Sequence, residues 1–84
     1  MKVYSVYDAK AEAYLPPMFF QSRGVAIRSF GAAAADEKHD FHRFAADYTL
    51  FELGDFDENS GKFSLLSAPV ALGNALELRS SGSD

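Results

Sequence analysis

Lys2 to Tyr7, K-V-Y-S-V-Y, is β-branched and aromatic, and its alternation puts apolar groups on both sides. Val3 and Tyr7 face one way and Tyr4 and Val6 the other, which predicts an interior strand rather than an exposed edge. After the polar stretch 9–13, Tyr14 to Gln21 is apolar but carries Pro16 and Pro17. Neither proline can donate a ladder hydrogen bond, so the segment is at most an edge strand or an extended loop. Ser22 reads as an N-cap opening a helix over 22–35, with Val25, Ile27, Phe30, Ala33 and Ala34 on its buried side. Asp36 to Asp47 is a polar connector in which Phe41 and Phe44, three apart, peg a short helical turn to the core. Tyr48 to Phe56 is a strand, Asp57 to Gly61 a turn rich in residues that accept unusual backbone angles, and Lys62 to Leu66 the returning strand. Ser67 and Pro69 then open a second helix through Leu78, with Val70, Leu72, Ala75 and Leu76 as its apolar side. Ser80 to Asp84, S-S-G-S-D, reads as a flexible tail.

These elements predict one small α+β domain over residues 1–79 in β-α-β-β-α order. Its three-stranded, partly parallel sheet would use residues 2–8, 48–56 and 62–66, with the 22–35 helix as the main helix on one face. A right-handed crossover follows if the first two strands are parallel neighbours. With 84 residues, 48% of them apolar, the core is thin, and the eight Phe and four Tyr supply most of its bulk. A three-stranded sheet leaves two edges to be covered, so a homodimer is expected.

Composition narrows the chemistry. No Cys is present, which excludes disulfides and thiolate metal sites. Asp8, Lys10 and Glu12 fall where a secretory signal would be apolar, and the longest uncharged run, Phe63 to Leu76, is too short for a bilayer and broken by Pro69 and Gly73. A soluble protein with no membrane partner is expected. The net charge of −4 is uneven: residues 1–30 carry four cations against two acids, residues 31–84 four against ten. The sign argues against strong nonspecific DNA binding, which rests on many phosphate contacts.

Asp55, Asp57 and Asn59 mimic positions 1, 3 and 5 of a calcium loop. The required glycine comes one residue late, at Gly61, and Leu66 stands where a bidentate Glu is needed. His39 and His42, beside Asp36, Glu37 and Asp40, have zinc-like spacing but no distant His or Cys to complete a site. There is no nucleophile elbow and no phosphate-cradling glycine loop, so neither an enzyme nor a cofactor is expected. What remains is the basic, aromatic first third, where Lys2, Tyr4, Tyr7, Lys10, Tyr14, Phe19, Phe20, Arg23 and Arg28 interleave cations with rings, and Lys2, Tyr4, Tyr7, Lys10, Arg23 and Arg28 are the expected nucleic-acid contacts. Single-strand binders use that mixture, cations tracking phosphates while bases stack on rings. The competing reading is that the rings are simply the core.

The runs M-K-V-Y-S-V-Y-D-A-K-A-E-A-Y-L and F-F-Q-S-R-G-V-A-I-R-S-F, then D-Y-T-L-F-E-L-G-D-F-D-E-N-S-G-K-F and P-V-A-L-G-N-A-L-E-L, resemble the small nonstructural protein of gokushovirus-like microviruses. The resemblance covers about residues 1–78. It implies a phage with a small circular single-stranded DNA genome replicating in the host bacterial cytoplasm, and a role linked to single-stranded DNA synthesis or binding. It carries over no catalytic or binding residue. Two expectations follow: a non-enzymatic accessory protein that touches single-stranded DNA or the phage replication protein, or a dimeric protein–protein adaptor that never touches nucleic acid.

Overall fold

The chain runs through β1 (Lys2–Asp8), β2 (Ala13–Tyr14), β3 (Met18–Phe20), α1 (Arg23–Ala35), α2 (Asp40–Arg43), a 3-10 turn (Ala45–Asp47), β4 (Tyr48–Asp57), β5 (Lys62–Asn74) and α3 (Ala75–Gly82) in a computed structural model. The structure describes residues 1–82; the last two positions of the tail expected over 80–84, Ser83 and Asp84, lie outside the described residues.

The expected three-stranded, partly parallel sheet with one main helix is replaced by a five-stranded antiparallel sheet with small helices. Its order is β2-β1-β4-β5, with β3 also paired to β1. The physical reason lies in the proline segment. β2 and β3 are two short pieces of one edge strand broken at Pro16–Pro17, and together they return the chain along β1: Tyr7 pairs with Tyr14, and Lys2 with Phe20. Helix α1, about 20 Å long at 1.5 Å per residue, then carries the chain back down the other way. β4 therefore starts beside the end of β1, with Asp8 opposite Tyr48 and Lys2 opposite Asp55, and must run antiparallel to it. The backbone bond from the Ala9 amide to the Asp47 carbonyl, 2.8 Å, closes this lower end.

The second correction concerns residues 67–78. The predicted helix from Ser67 to Leu78 does not exist as such: β5 continues through Pro69 to Asn74, and the helix begins only at Ala75. The start signal is a capping box at Asn74, not Ser67 or Pro69. The Asn74 side-chain oxygen accepts from the Leu76 amide while Glu77 accepts from the Asn74 amide, both at 3.0 Å. The Asn74 side-chain nitrogen, Nδ2, also donates to the Ala46 and Tyr48 carbonyls, which ties the end of β5 to the start of β4.

One face of the sheet carries the helices. Tyr4, Val6 and Leu50 are fully buried there against Ala26, Phe30 and Ala34 of α1, with Ala45 and Ala75 completing the cluster. The buried side of α1 is thus the i, i+4, i+8 row Ala26, Phe30, Ala34; Val25, expected inside, is 38% exposed. Ser22 caps α1 as expected, its hydroxyl accepting from the Val25 amide. Of the two pegs on the connector, Phe41 packs between Phe30 and Tyr48, whereas Phe44 is exposed beneath the Arg43 guanidinium.

Among the described residues the opposite face carries no helix, and it is concave. Phe19 on β3 meets Phe63 on β5 at 6.3 Å between ring centres, and Phe56 on β4 lies between them, 5.7 and 4.9 Å away. In a flat sheet β3 and β5 would stand about 14 Å apart, three strand spacings. Rings from both can meet only because the sheet curls into a half-barrel. Irregular registers in the β1–β4 and β4–β5 ladders, around Tyr4 and Gly54, supply that curl.

Candidate nucleic-acid interface

Two ring clusters line the concave face. At one end Tyr7, Tyr14 and Phe51 meet edge to face, with centroids 4.9 to 6.4 Å apart. At the other end are Phe19, Phe56 and Phe63. Each cluster draws its rings from an edge strand and its neighbours because cross-strand partners on one face stand side by side, as in the Tyr7–Tyr14 pair. The clusters are about 13 Å apart, four residues along β1 at roughly 3.3 Å each. The floor between them is the buried pair Val3 and Ser5, the Ser5 hydroxyl donating to the Leu15 carbonyl. Tyr14, Phe19 and Phe63 remain 44%, 41% and 53% exposed, so the rings are not consumed by the core.

The predicted set Lys2, Tyr4, Tyr7, Lys10, Arg23 and Arg28 is not gathered in one place. Tyr7 belongs to the concave face, and Lys10 is exposed in the β1–β2 turn beyond it. Tyr4 is buried under the helices. Lys2 is paired with Asp55 at 3.2 Å. Arg23 donates from Nε and from its terminal nitrogen to Oε1 of Glu52, at 3.0 and 2.7 Å. The carboxylate is almost fully buried while the guanidinium is largely exposed, so Arg23 neutralises an interior charge from the rim. Arg28 is exposed on α1, behind the sheet. Sequence reasoning missed Phe51, Phe56 and Phe63 as members of the aromatic face, and Lys62 beside Phe63. Phe51 and Phe56 are five residues apart, so regular alternation would put them on opposite faces, and they share the side of Tyr7 only through the irregular register between Glu52 and Gly54.

The remaining candidates have structural roles. His39 caps α2 by accepting from the Phe41 amide at Nδ1, and His42 Nδ1 lies 2.9 Å from the Ala34 carbonyl oxygen. Among the described residues no group of three or more His, Asp or Glu is placed to hold a metal ion. Asp57 closes an Asx turn, accepting from the Asn59 and Ser60 amides, and these bonds hold its carboxyl below the usual carboxylate range. Burial pushes the Tyr4 phenol above its ordinary value, with the Glu52 carboxylate adding to the effect. An apolar cleft of about 200 Å³ opens behind the sheet between Met18, Phe20, Phe30 and Phe41. Among the described residues no helix is long and apolar enough to cross a membrane.

Comparison with known proteins places this arrangement in a lineage. The family model described as Phage ORF5 protein matches residues 1–78. Protein ORF5 of Chlamydia phage 1 is 34% identical over 74 residues, covering 83% of this chain and 77% of the relative. No solved structure matches the chain. A protein of this kind is made in the infected host cell. The chain belongs to the phage ORF5 family, the small nonstructural proteins of gokushovirus-like microviruses.

Proposed function

We propose that this protein is a non-enzymatic accessory factor of phage genome replication, or of its switch to packaging, that binds single-stranded DNA weakly on the concave aromatic face in the host cytoplasm. The observation that carries this reading is the pair of three-ring clusters on the side of the sheet the helices leave open. Bases have π-faces regardless of sequence, so partly exposed rings at intervals along a strand suit a single strand better than a duplex. Lys10 and Lys62 are exposed at the two ends of the sheet, where the backbone of a strand leaving the rings would pass.

A fluorescent oligonucleotide titrated at about 50 mM salt, where phosphate contacts are strong, tests the reading. Replacing Tyr14 and Phe63 by Ala should lower affinity by roughly 1–3 kcal/mol per ring, with circular dichroism unchanged because both rings are half-exposed. No binding by the unaltered protein under these conditions defeats the DNA reading. It would leave the protein–protein adaptor, which the net charge of −4 and the engagement of Lys2 and Arg23 in ion pairs favour.

A further inference from the structure

β5 ends the sheet, and its outer edge has no partner strand among the described residues. Natural edge strands are kept short, charged or covered. This one has thirteen residues, is exposed from Lys62 through Ala71, and lies in a run from Phe63 to Leu76 without a single charge. Its pairing to β4 is also interrupted. Between the pairs Gly54–Leu65 and Glu52–Val70, β4 spends only Leu53 while β5 spends Leu66 to Pro69, so that those four residues have no partner on β4. Leu65, Leu66 and Val70 on this strand are 67%, 40% and 44% exposed.

We infer that the β5 edge is a homodimer interface, on which a second copy of this chain pairs antiparallel about a two-fold axis near Ala68. Charge selects the occupant. Two copies with a net charge of −4 repel across most of their surfaces, but an uncharged strand set against itself brings no like charges together, and a two-fold contact is self-complementary by symmetry. A pivot at Ala68 sets Leu66 of each copy opposite Val70 of the other, apolar against apolar. The ladder bonds then fall on Leu66, Ala68 and Val70, alternating with Pro69, which has no amide proton to give. A strand some 40 Å long and a sheet about 10 Å thick give roughly 400 Å² per copy, below the ~800 Å² of a standard interface. The dimer is therefore of modest affinity. This inference stands whether or not the concave face binds DNA.

The absence of Cys allows a direct test. Ala68→Cys places one thiol at the proposed axis and Ala32→Cys, exposed on α1, one far from it. Under mild oxidation the Ala68→Cys protein should become a disulfide-linked dimer at least tenfold faster than the Ala32→Cys protein. In sedimentation over roughly 10–500 µM, a range suited to a sub-standard interface, the unaltered chain should move from its 9.2 kDa monomer mass towards twice that value. Leu66→Lys should hold it at monomer mass with its thermal midpoint measured at low concentration unchanged. Equal oxidation rates for the two thiols, or a monomer throughout the range, overturn the inference; so does a dimer that survives Leu66→Lys.

Discussion

The Tyr4 hydroxyl is buried without a hydrogen-bond partner among the described residues, while its ring packs on Phe20 under the helices. A hydroxyl left in that state costs about 1–3 kcal/mol, whereas a neutral aromatic of the same shape would keep the packing. Tyr4→Phe should therefore stabilise the fold by about 1 kcal/mol, or roughly 4–8 °C in a domain of this size. The pH dependence gives an independent check. Burial raises the folded-state pKa of Tyr4 above the unfolded value near 10, so its contribution to stability is present below pH 10 and lost as pH rises through the folded value. Denaturant midpoints measured from pH 8 upward should fall less steeply for Tyr4→Phe than for the unaltered protein. A destabilised Phe variant would mean that the hydroxyl is satisfied after all, by an ordered water or a ligand.

At the scale of elements the decisive feature is the irregular β4–β5 ladder. Gly54 lies where β5 crosses so closely that a Cβ would sit 2.3 Å from the Ser64 carbonyl oxygen and 2.8 Å from the Leu65 Cα. Both obstacles are backbone and cannot rotate away. Gly54→Ala should then cost about 1–3 kcal/mol or more, seen as a lower denaturant midpoint and as loss of the Phe56–Phe63 contact by NMR. An unaltered midpoint would mean that the curl does not depend on this close approach. The same ladder shows what local pattern conveys and what it conceals. Helix α1 was legible because Ser22 and the small residues after it act within one element. So was the Asp57–Gly61 turn, whose chemistry is entirely local. The helix expected from Ser67 was misplaced because proline and a run of apolar residues suit an exposed, irregularly paired strand as well as a helical first turn. The pairing of β5 with β4 and the Asn74–Glu77 box decided between them, and only the second has a sequence signature. Val25 was assigned to the core by hydropathy, but the helix turns Ala26 inward because small residues let α1 and α3 approach.

The whole molecule separates its charge from its rings. Helix α1 holds Arg23 and Arg28 behind the sheet, and the buried Glu52 engages the first of them, so the cations that look most available in sequence are remote from the concave face. This separation was not readable beforehand, because it depends on β1 and β4 being antiparallel and on which face the helices cover. Lys10 and Lys62 lie exposed at the two ends of the sheet instead, and neither is in an ion pair among the described residues. Rings and lysines should therefore leave different marks on binding of a single-stranded oligonucleotide. A stacking contact releases few counterions, so Phe63→Ala or Tyr14→Ala should lower log K equally at every salt concentration and shift the line without turning it. A phosphate contact contributes about 0.7 to the slope of log K against log salt on single strands, so Lys10→Ala with Lys62→Ala should flatten that slope by about 1.4. Arg28→Ala, on the far side, should leave both slope and intercept alone. Titrations between about 20 and 200 mM salt, where counterion release governs the slope, resolve these patterns. A slope lost through Arg28 rather than the two lysines would place the DNA on the helical face and take the aromatic clusters out of the mechanism.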